Sequence, residues 1–183
     1  MTGSPWRIVP ASAGYARDVA VCHIESWRES HRGLVPDHLL AAFDVDRRAA
    51  RWAAHIESAD RAPTEPTAHT VVLAVDDTRA PGDRVVGFAH AGPPRDVPRV
   101  ADRELYALYV RADSYGTGLA SELLRAILLP DTDTVLWVFE ENRRARNFYR
   151  KFGFVADEAR RIEPFSAASE IRMIARRGIT GRR

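Results

Sequence analysis

Apolar and polar positions change period along this chain, and the changes mark its elements. Trp6-Arg7-Ile8-Val9 reads as a short strand stopped by Pro10, and Ser12 is placed to cap a helix. In that helix Ala16, Ala20, His23, Ile24 and Trp27 fall on one stripe at helical spacing. Arg32-Gly33-Leu34-Val35-Pro36 turns the chain, and Pro36 suits the first turn of a short helix through Leu39, Leu40 and Phe43. Asp44 then caps a further helix whose Val45, Ala49, Trp52, Ala53 and Ile56 form an apolar face. Asp60 to Ala68, with Pro63 and Pro66, is expected to be a linker within one domain, because neither side has the pattern of a complete one.

Beyond this point the period becomes extended. Val71 to Val75 and Val85 to Ala89 are strand candidates, joined hairpin-fashion through Asp76 to Asp83 with its Pro81-Gly82. Ala91 to Pro98, rich in proline, is expected to be a loop. Glu104 to Val110 is a third strand, with Leu105, Ala107 and Tyr109 on one face. The stretch Tyr115 to Ala120 opens a helix carrying Leu119, Leu123 and Ile127, ended by Pro130. Val135-Leu136-Trp137-Val138-Phe139 is a continuous apolar strand fit for a sheet centre. Asn142 caps a helix with Ala145, Phe148, Tyr149 and Phe152 at i, i+3, i+4 and i+7, and Gly153 sits where a helix of this length ends. Phe154-Val155 and Glu170 to Ala175 resume extended structure. This order predicts an α/β (α+β) fold, one mixed sheet with helices on both faces.

Composition narrows the class. A chain of 183 residues corresponds to about one domain, expected over residues 1–176 with a basic tail at 177–183. Hydrophobic residues make up 45% and charged residues 28%, which excludes wholesale disorder. The single cysteine, Cys22, excludes a disulfide framework and a cysteine metal cluster. The six histidines are scattered without a His-Glu-x-x-His pair, so no metal is expected. Apolar runs of about five residues fall far short of the ~20 that cross a bilayer, and no signal-peptide pattern opens the chain. The expectations are therefore a cytoplasmic location and no membrane partner. The formal charge is +2, and Arg176, Arg177, Arg182 and Arg183 carry more than that excess, which leaves a slightly acidic body. Nucleic acid is accordingly not expected as a partner.

Gly116-Thr117-Gly118 lies where a strand gives way to a helix. Glycines let the backbone approach a ligand without a Cβ in the way, and the first helical turn offers unpaired N–H groups. Together they suit a pyrophosphate. No Lys-Ser or Lys-Thr follows, so this is not a Walker loop. The turn comes after several strands and lacks the following acidic residue of a dinucleotide fold.

Two blocks carry a resemblance. The first is Tyr109-Val110-Arg111-Ala112-Asp113-Ser114-Tyr115-Gly116-Thr117-Gly118-Leu119-Ala120. The second runs from Leu136 to Phe154 and contains Asn142-Arg143-Arg144-Ala145-Arg146-Asn147-Phe148-Tyr149, closing on Gly153-Phe154. Together they resemble the GNAT superfamily of acetyl-coenzyme A dependent N-acetyltransferases, over residues 6 to 176. The resemblance implies the single-domain GNAT acyl-CoA acyltransferase fold, with a sheet mostly antiparallel, and acetyl-CoA as cofactor. It implies that Leu108, Tyr109, Val110, Tyr115, Gly116, Thr117, Gly118, Leu119, Ala120, Asn142 and Phe148 hold the coenzyme. One departure stands out: Tyr115 occupies a position usually held by Gln or Arg, and Arg111 or a basic residue of the following helix is expected to compensate.

The catalytic roles follow from the same likeness. Tyr149 resembles the family's general acid, since a phenol with a pKa near 10 remains a proton donor at neutral pH. Glu104 matches an acidic residue of many relatives, expected to take the amine proton or hold the acceptor's charge. By alternation it shares a side with Tyr106, unless a bulge changes the register. His23, Trp27, Arg28, Tyr106 and His90 are the candidate acceptor residues, with His90 also a candidate proton relay. Cys22 has no partner that would make it a nucleophile. The expected acceptor is a small-molecule primary amine, attacked directly. The alternatives are a peptide or protein N-terminus, and a non-catalytic sensor of acyl-CoA. The chain is expected to be a monomer or homodimer.

Overall fold

The computed structural model describes residues 4–31, 43–59, 68–163 and 168–176. The turn at 32–36, the short helix through Leu39 and Leu40, most of the 60–68 linker and the 177–183 tail lie outside the described residues.

Strand β1 (Arg7–Pro10) leads through a short 3-10 turn into helix α1 (Ala16–His31). Ser12 precedes that turn, but its side chain makes no capping bond; its carbonyl accepts the Tyr15 amide instead. Asp44 does cap helix α2 (Val45–Ala59), accepting the Arg47 amide at 2.7 Å. Strands β2 (Thr70–Val75), β3 (Val85–Gly92) and β4 (Arg103–Val110) follow, then helix α3 (Leu119–Ile127) and strand β5 (Thr134–Phe139). Helix α4 (Arg143–Arg150) and strands β6 (Val155–Ile162) and β7 (Ser169–Ala175) complete the order. Strand β3 runs to Gly92, beyond the expected end at Ala89. Pairing of Ala91 with Leu105 and of Gly92 with Glu104 extends the ladder through residues that read as loop.

All seven strands form one sheet in the order β1-β2-β3-β4-β5-β7-β6, antiparallel except for the β4–β5 pair. Period-2 alternation puts a core on each face. Val71, Leu73 and Val75 of β2 pack with Val19, Ala20, Trp52 and Ile56 of α1 and α2. Val72 and Ala74 face the other way, toward Leu119, Leu123, Leu124 and Ile127 of α3. Cys22 is fully buried in the first of these cores, and burial pushes its thiol up to about 12.

The seat of α3 on the sheet depends on Gly87. A Cβ there would lie 3.0 Å from both Leu123 Cδ1 and the Tyr109 carbonyl oxygen. Leu123 has rotamers to yield; the strand backbone does not. Gly87→Val is expected to destabilise the fold by about 1–3 kcal/mol through overpacking. Urea unfolding measures this, with the midpoint lowered and the m value unchanged.

Candidate active site

The site begins where pairing stops. Strands β4 and β5 run parallel and pair at Arg103, Glu104 and Leu105 against Thr134, Val135 and Leu136, and no further. β4 keeps pairing with β3 as far as Val110, and β5 keeps pairing with β7 as far as Phe139. The sheet therefore stays continuous on either side of a wedge that opens between Tyr106–Val110 and Trp137–Phe139. The opening coincides with a register shift: His90 pairs with Ala107 and Ala91 with Leu105, which leaves Tyr106 as the extra residue of a bulge. A bulge bends its strand and increases local twist, here just as β4 leaves β5.

The wedge is a groove of about 610 Å³. Leu105 to Val110 line one wall and Trp137, Val138 and Phe139 the other, and Asn142, Ala145, Phe148 and Tyr149 of α4 join them. Tyr115 and Ala120 stand at one end. Tyr149 is nearly buried, and its hydroxyl makes no hydrogen bond to another described residue. Burial and the nearby Tyr109 push its pKa up, so it stays protonated at neutral pH. Asn142 spends its Oδ1 on the helix, accepting the Ala145 amide at 3.0 Å.

At the Tyr115 end the backbone forms a cradle. Gly116 and Gly118 have φ of 79° and 95°, a region that disfavours any side chain, and the space a Cβ would take at each is open. The Tyr115 amide is used internally, bonded to the Ala112 carbonyl at 3.1 Å, and the Leu119 amide leans on Thr117 Oγ1 at 3.4 Å. The Leu119 side chain is core. The amides of Gly116, Thr117, Gly118 and Ala120 bond to no acceptor among the described residues. The cradle is thus narrower than the sequence suggests, beginning at Gly116. Arg111 is engaged by Asp83 at 2.8 Å and Glu29 at 3.6 Å. The cation beside the cradle is Arg144 of α4, whose guanidinium lies 3.7 Å from the centre of the Tyr115 ring.

Glu104 departs from its expected place. Its side chain is fully buried and lines neither the groove nor the second cavity described below. Arg95 occupies both oxygens, through its backbone amide at 2.8 Å and its guanidinium at 3.0 Å. A base must reach the proton it removes, so Glu104 is instead an anchor for the Arg95 loop. The bulge explains why alternation misplaces it relative to Tyr106. Three other carboxylates do line the groove, those of Glu29, Glu141 and Glu170. Glu29 accepts the Ala112 amide at 2.8 Å and pairs with Arg111, and Glu170 of β7 accepts Arg161 Nε at 2.6 Å through one oxygen. Tyr106 lines the groove and donates its hydroxyl to the Pro93 carbonyl; burial and the charge of Glu104 push its pKa up to about 12.

A second cavity, of about 410 Å³, is lined by His23, Ile24 and Trp27 of α1, by Phe43, Asp44, Arg47, Arg48 and Arg51, and by Glu163. Its wall touches that of the groove at a ring pair: His23 lies 5.1 Å from Tyr109, which lines the groove. His23 and Trp27 thus share one cavity wall. Arg28 pairs with Glu25 at 2.8 Å and lines neither cavity. His90 also lies off both, packed against Tyr106 (4.9 Å between ring centres), Trp52, His55 and His69. Sequence reasoning missed Arg144, Glu170, Glu163 and the three arginines of α2. The arginines and Asp44 repeat at 44, 47, 48 and 51, a helical polar stripe that was visible beside the apolar face. Nothing local marks Glu170.

Residues 24–154 match the model of the Acetyltransferase (GNAT) family, and the chain belongs to that family. It is an acyltransferase, and the acyl donor is acetyl-coenzyme A. An uncharacterized N-acetyltransferase of Mycobacterium tuberculosis, Rv2669, is 30% identical over 128 residues, which cover 66% of this chain and 70% of that protein. The PaiA N-acetyltransferase of Thermoplasma acidophilum, solved in complex with coenzyme A, superposes with a TM-score of 0.69 at 16% identity, covering 96% of this chain and 99% of its own. An acetyltransferase of Thermus thermophilus gives 0.58 at 18% identity, covering 95% and 98%. Among the described residues no helix is long and apolar enough to cross a membrane, and no group of three or more His, Cys, Asp or Glu residues is arranged to hold a metal ion.

The pKa of His90 gives a stability prediction. Burial, with the positive fields of His69, His55, Arg95 and Arg103, lowers it from the usual 6.5 to about 3. The native state then keeps this imidazole neutral where the unfolded chain binds a proton, so stability falls as pH drops from about 6.5 toward about 3. One such group contributes a slope of up to about 1.4 kcal/mol per pH unit. In His90→Gln, urea midpoints measured across this window are expected to fall less steeply than in the unaltered protein.

Proposed function

We propose that this enzyme transfers the acetyl group of acetyl-coenzyme A to the primary amine of a small molecule by direct attack. The observation that carries the reading is the parting of β4 from β5 at Leu105 and Leu136, with Tyr149 on the groove wall. The residues present fit the coenzyme. The open amides of Gly116, Thr117, Gly118 and Ala120 suit a diphosphate, and Arg144 adds a fixed cation beside them. The backbone of β4 beyond Leu105, unpaired on its β5 side, suits the amides of the pantetheine arm. When bound there, the coenzyme supplies a thioester carbonyl open to attack and a thiol that departs.

The protein's own groups divide the proton work. Tyr149, held protonated by burial, keeps its hydroxyl proton for the departing sulfur. Glu170 takes the proton that the acceptor nitrogen sheds, directly or through one water. Backbone N–H groups of the Leu108-Tyr109-Val110 segment serve the developing oxyanion. The second cavity receives the acceptor, entering past His23 and Tyr109. Its volume of about 410 Å³ supports a small molecule over a polypeptide.

Tyr149→Phe is expected to lower kcat by roughly 10²-fold or more while the affinity for coenzyme A, read by calorimetry, holds. An unchanged kcat removes Tyr149 from the acid role. For the base, Glu170→Gln is expected to lower kcat/KM by a similar factor and to displace the rise of rate with pH. If the profile keeps its shape and height, the proton goes elsewhere. Thiol release from acetyl-CoA with pooled small amines and with peptides tests the acceptor class, and turnover confined to peptides overturns it.

A further inference from the structure

We infer that the acceptor carries an oxyanion, a carboxylate or a phosphate, in addition to its amine, and that Arg47, Arg48 and Arg51 bind it. This inference rests on the proposed function above and specifies the substrate of the same site.

Three guanidinium groups converge on one wall of the second cavity because α2 repeats them at i, i+1 and i+4 beside its buried Trp52 and Ile56. None of the three forms an ion pair with a described carboxylate. Of the two acidic residues on the cavity wall, Asp44 is committed to the Arg47 backbone amide at 2.7 Å. Glu163, the residue after β6, also lines the cavity. Three cations therefore share the cavity wall with two carboxylates, an excess of positive charge.

Arg48 is the central member. It is partly buried, its guanidinium lies 5.4 Å from the centre of the Phe43 ring, and its pKa is lowered first by burial and then by the charge of Arg51. Keeping a half-buried cation next to a like charge costs free energy unless an anion joins them. A planar guanidinium also matches a carboxylate or phosphate through paired donors. His23 of the cavity wall packs against Tyr109 of the groove wall. An acceptor anchored by its anion on α2 thus directs its other end toward Tyr149 and Glu170, while Trp27 and Phe43 offer apolar walls for what lies between.

The test uses matched amines on the full chain with acetyl-CoA: phenylalanine against phenylalaninamide for the carboxylate, and phosphoethanolamine against ethanolamine for the phosphate. In at least one pair kcat/KM is expected to favour the anionic member by tenfold or more, and the pair that shows it identifies the anion. Arg48→Gln, and separately the exposed Arg51→Gln, are expected to narrow that ratio severalfold, and added salt to do the same. A second readout needs no turnover: calorimetric titration of N-acetylphenylalanine and of its amide, and of N-acetylphosphoethanolamine and N-acetylethanolamine, onto the protein with coenzyme A bound. Turnover of neutral amines at equal or greater rates overturns the anionic acceptor and leaves acetyl transfer intact. Equal affinities within both titrated pairs overturn it even where no amine is acetylated, an outcome that would separately end the proposed function.

Discussion

Everything in the site follows from two parallel strands that stop pairing part-way along. Backbone N–H and C=O groups inside a sheet need partners, and a pair that separates leaves one edge of each strand without them. Here the separation is sustained because β3 still pairs with β4 and β7 with β5, so each half of the sheet keeps its own ladder. The bulge at Tyr106 turns β4 away where the gap opens. Helix α4 crosses the gap and brings Tyr149 to it, and α3 begins at the cradle beside it. A groove made in this way lies between rigid elements, so its polar edges are fixed before any ligand arrives.

The strands and helices were legible because their apolar residues keep strict periods. Val71 to Val75 alternate between the two cores, and Leu119, Leu123 and Ile127 all lie buried on one stripe. The cradle and Tyr149 were legible through the two blocks shared with the family. Three features were not. The Tyr106 bulge leaves no trace in a strand that reads as an unbroken run from Glu104 to Val110. Arg95, which claims Glu104, sits in a segment whose prolines announce a loop but say nothing of where its guanidinium reaches. Glu170 reaches the groove only because β7 inserts between β5 and β6, a matter of strand order rather than local pattern.

At the Tyr115 position a neighbouring element sets a cation beside the loop. A tyrosine there cannot offer a long cationic or amide side chain to a phosphate, yet its ring face holds one in place. Arg144 stacks on it at 3.7 Å, so the charge arrives from α4 rather than from the loop. Stacking also limits the rotamers of a long side chain, which lowers the ordering cost of any ion pair it goes on to make.

The lone thiol of the protein has a practical meaning. Cys22 has no exposed surface, touches Ser26 at 3.8 Å, and has its thiol pushed up to about 12, so it presents almost no thiolate at neutral pH. Reagents that count free sulfhydryls during turnover will therefore report the liberated coenzyme with little background from the folded catalyst. The same reagents will gain one equivalent of signal when the chain unfolds, so a single chromogenic readout registers both activity and loss of structure.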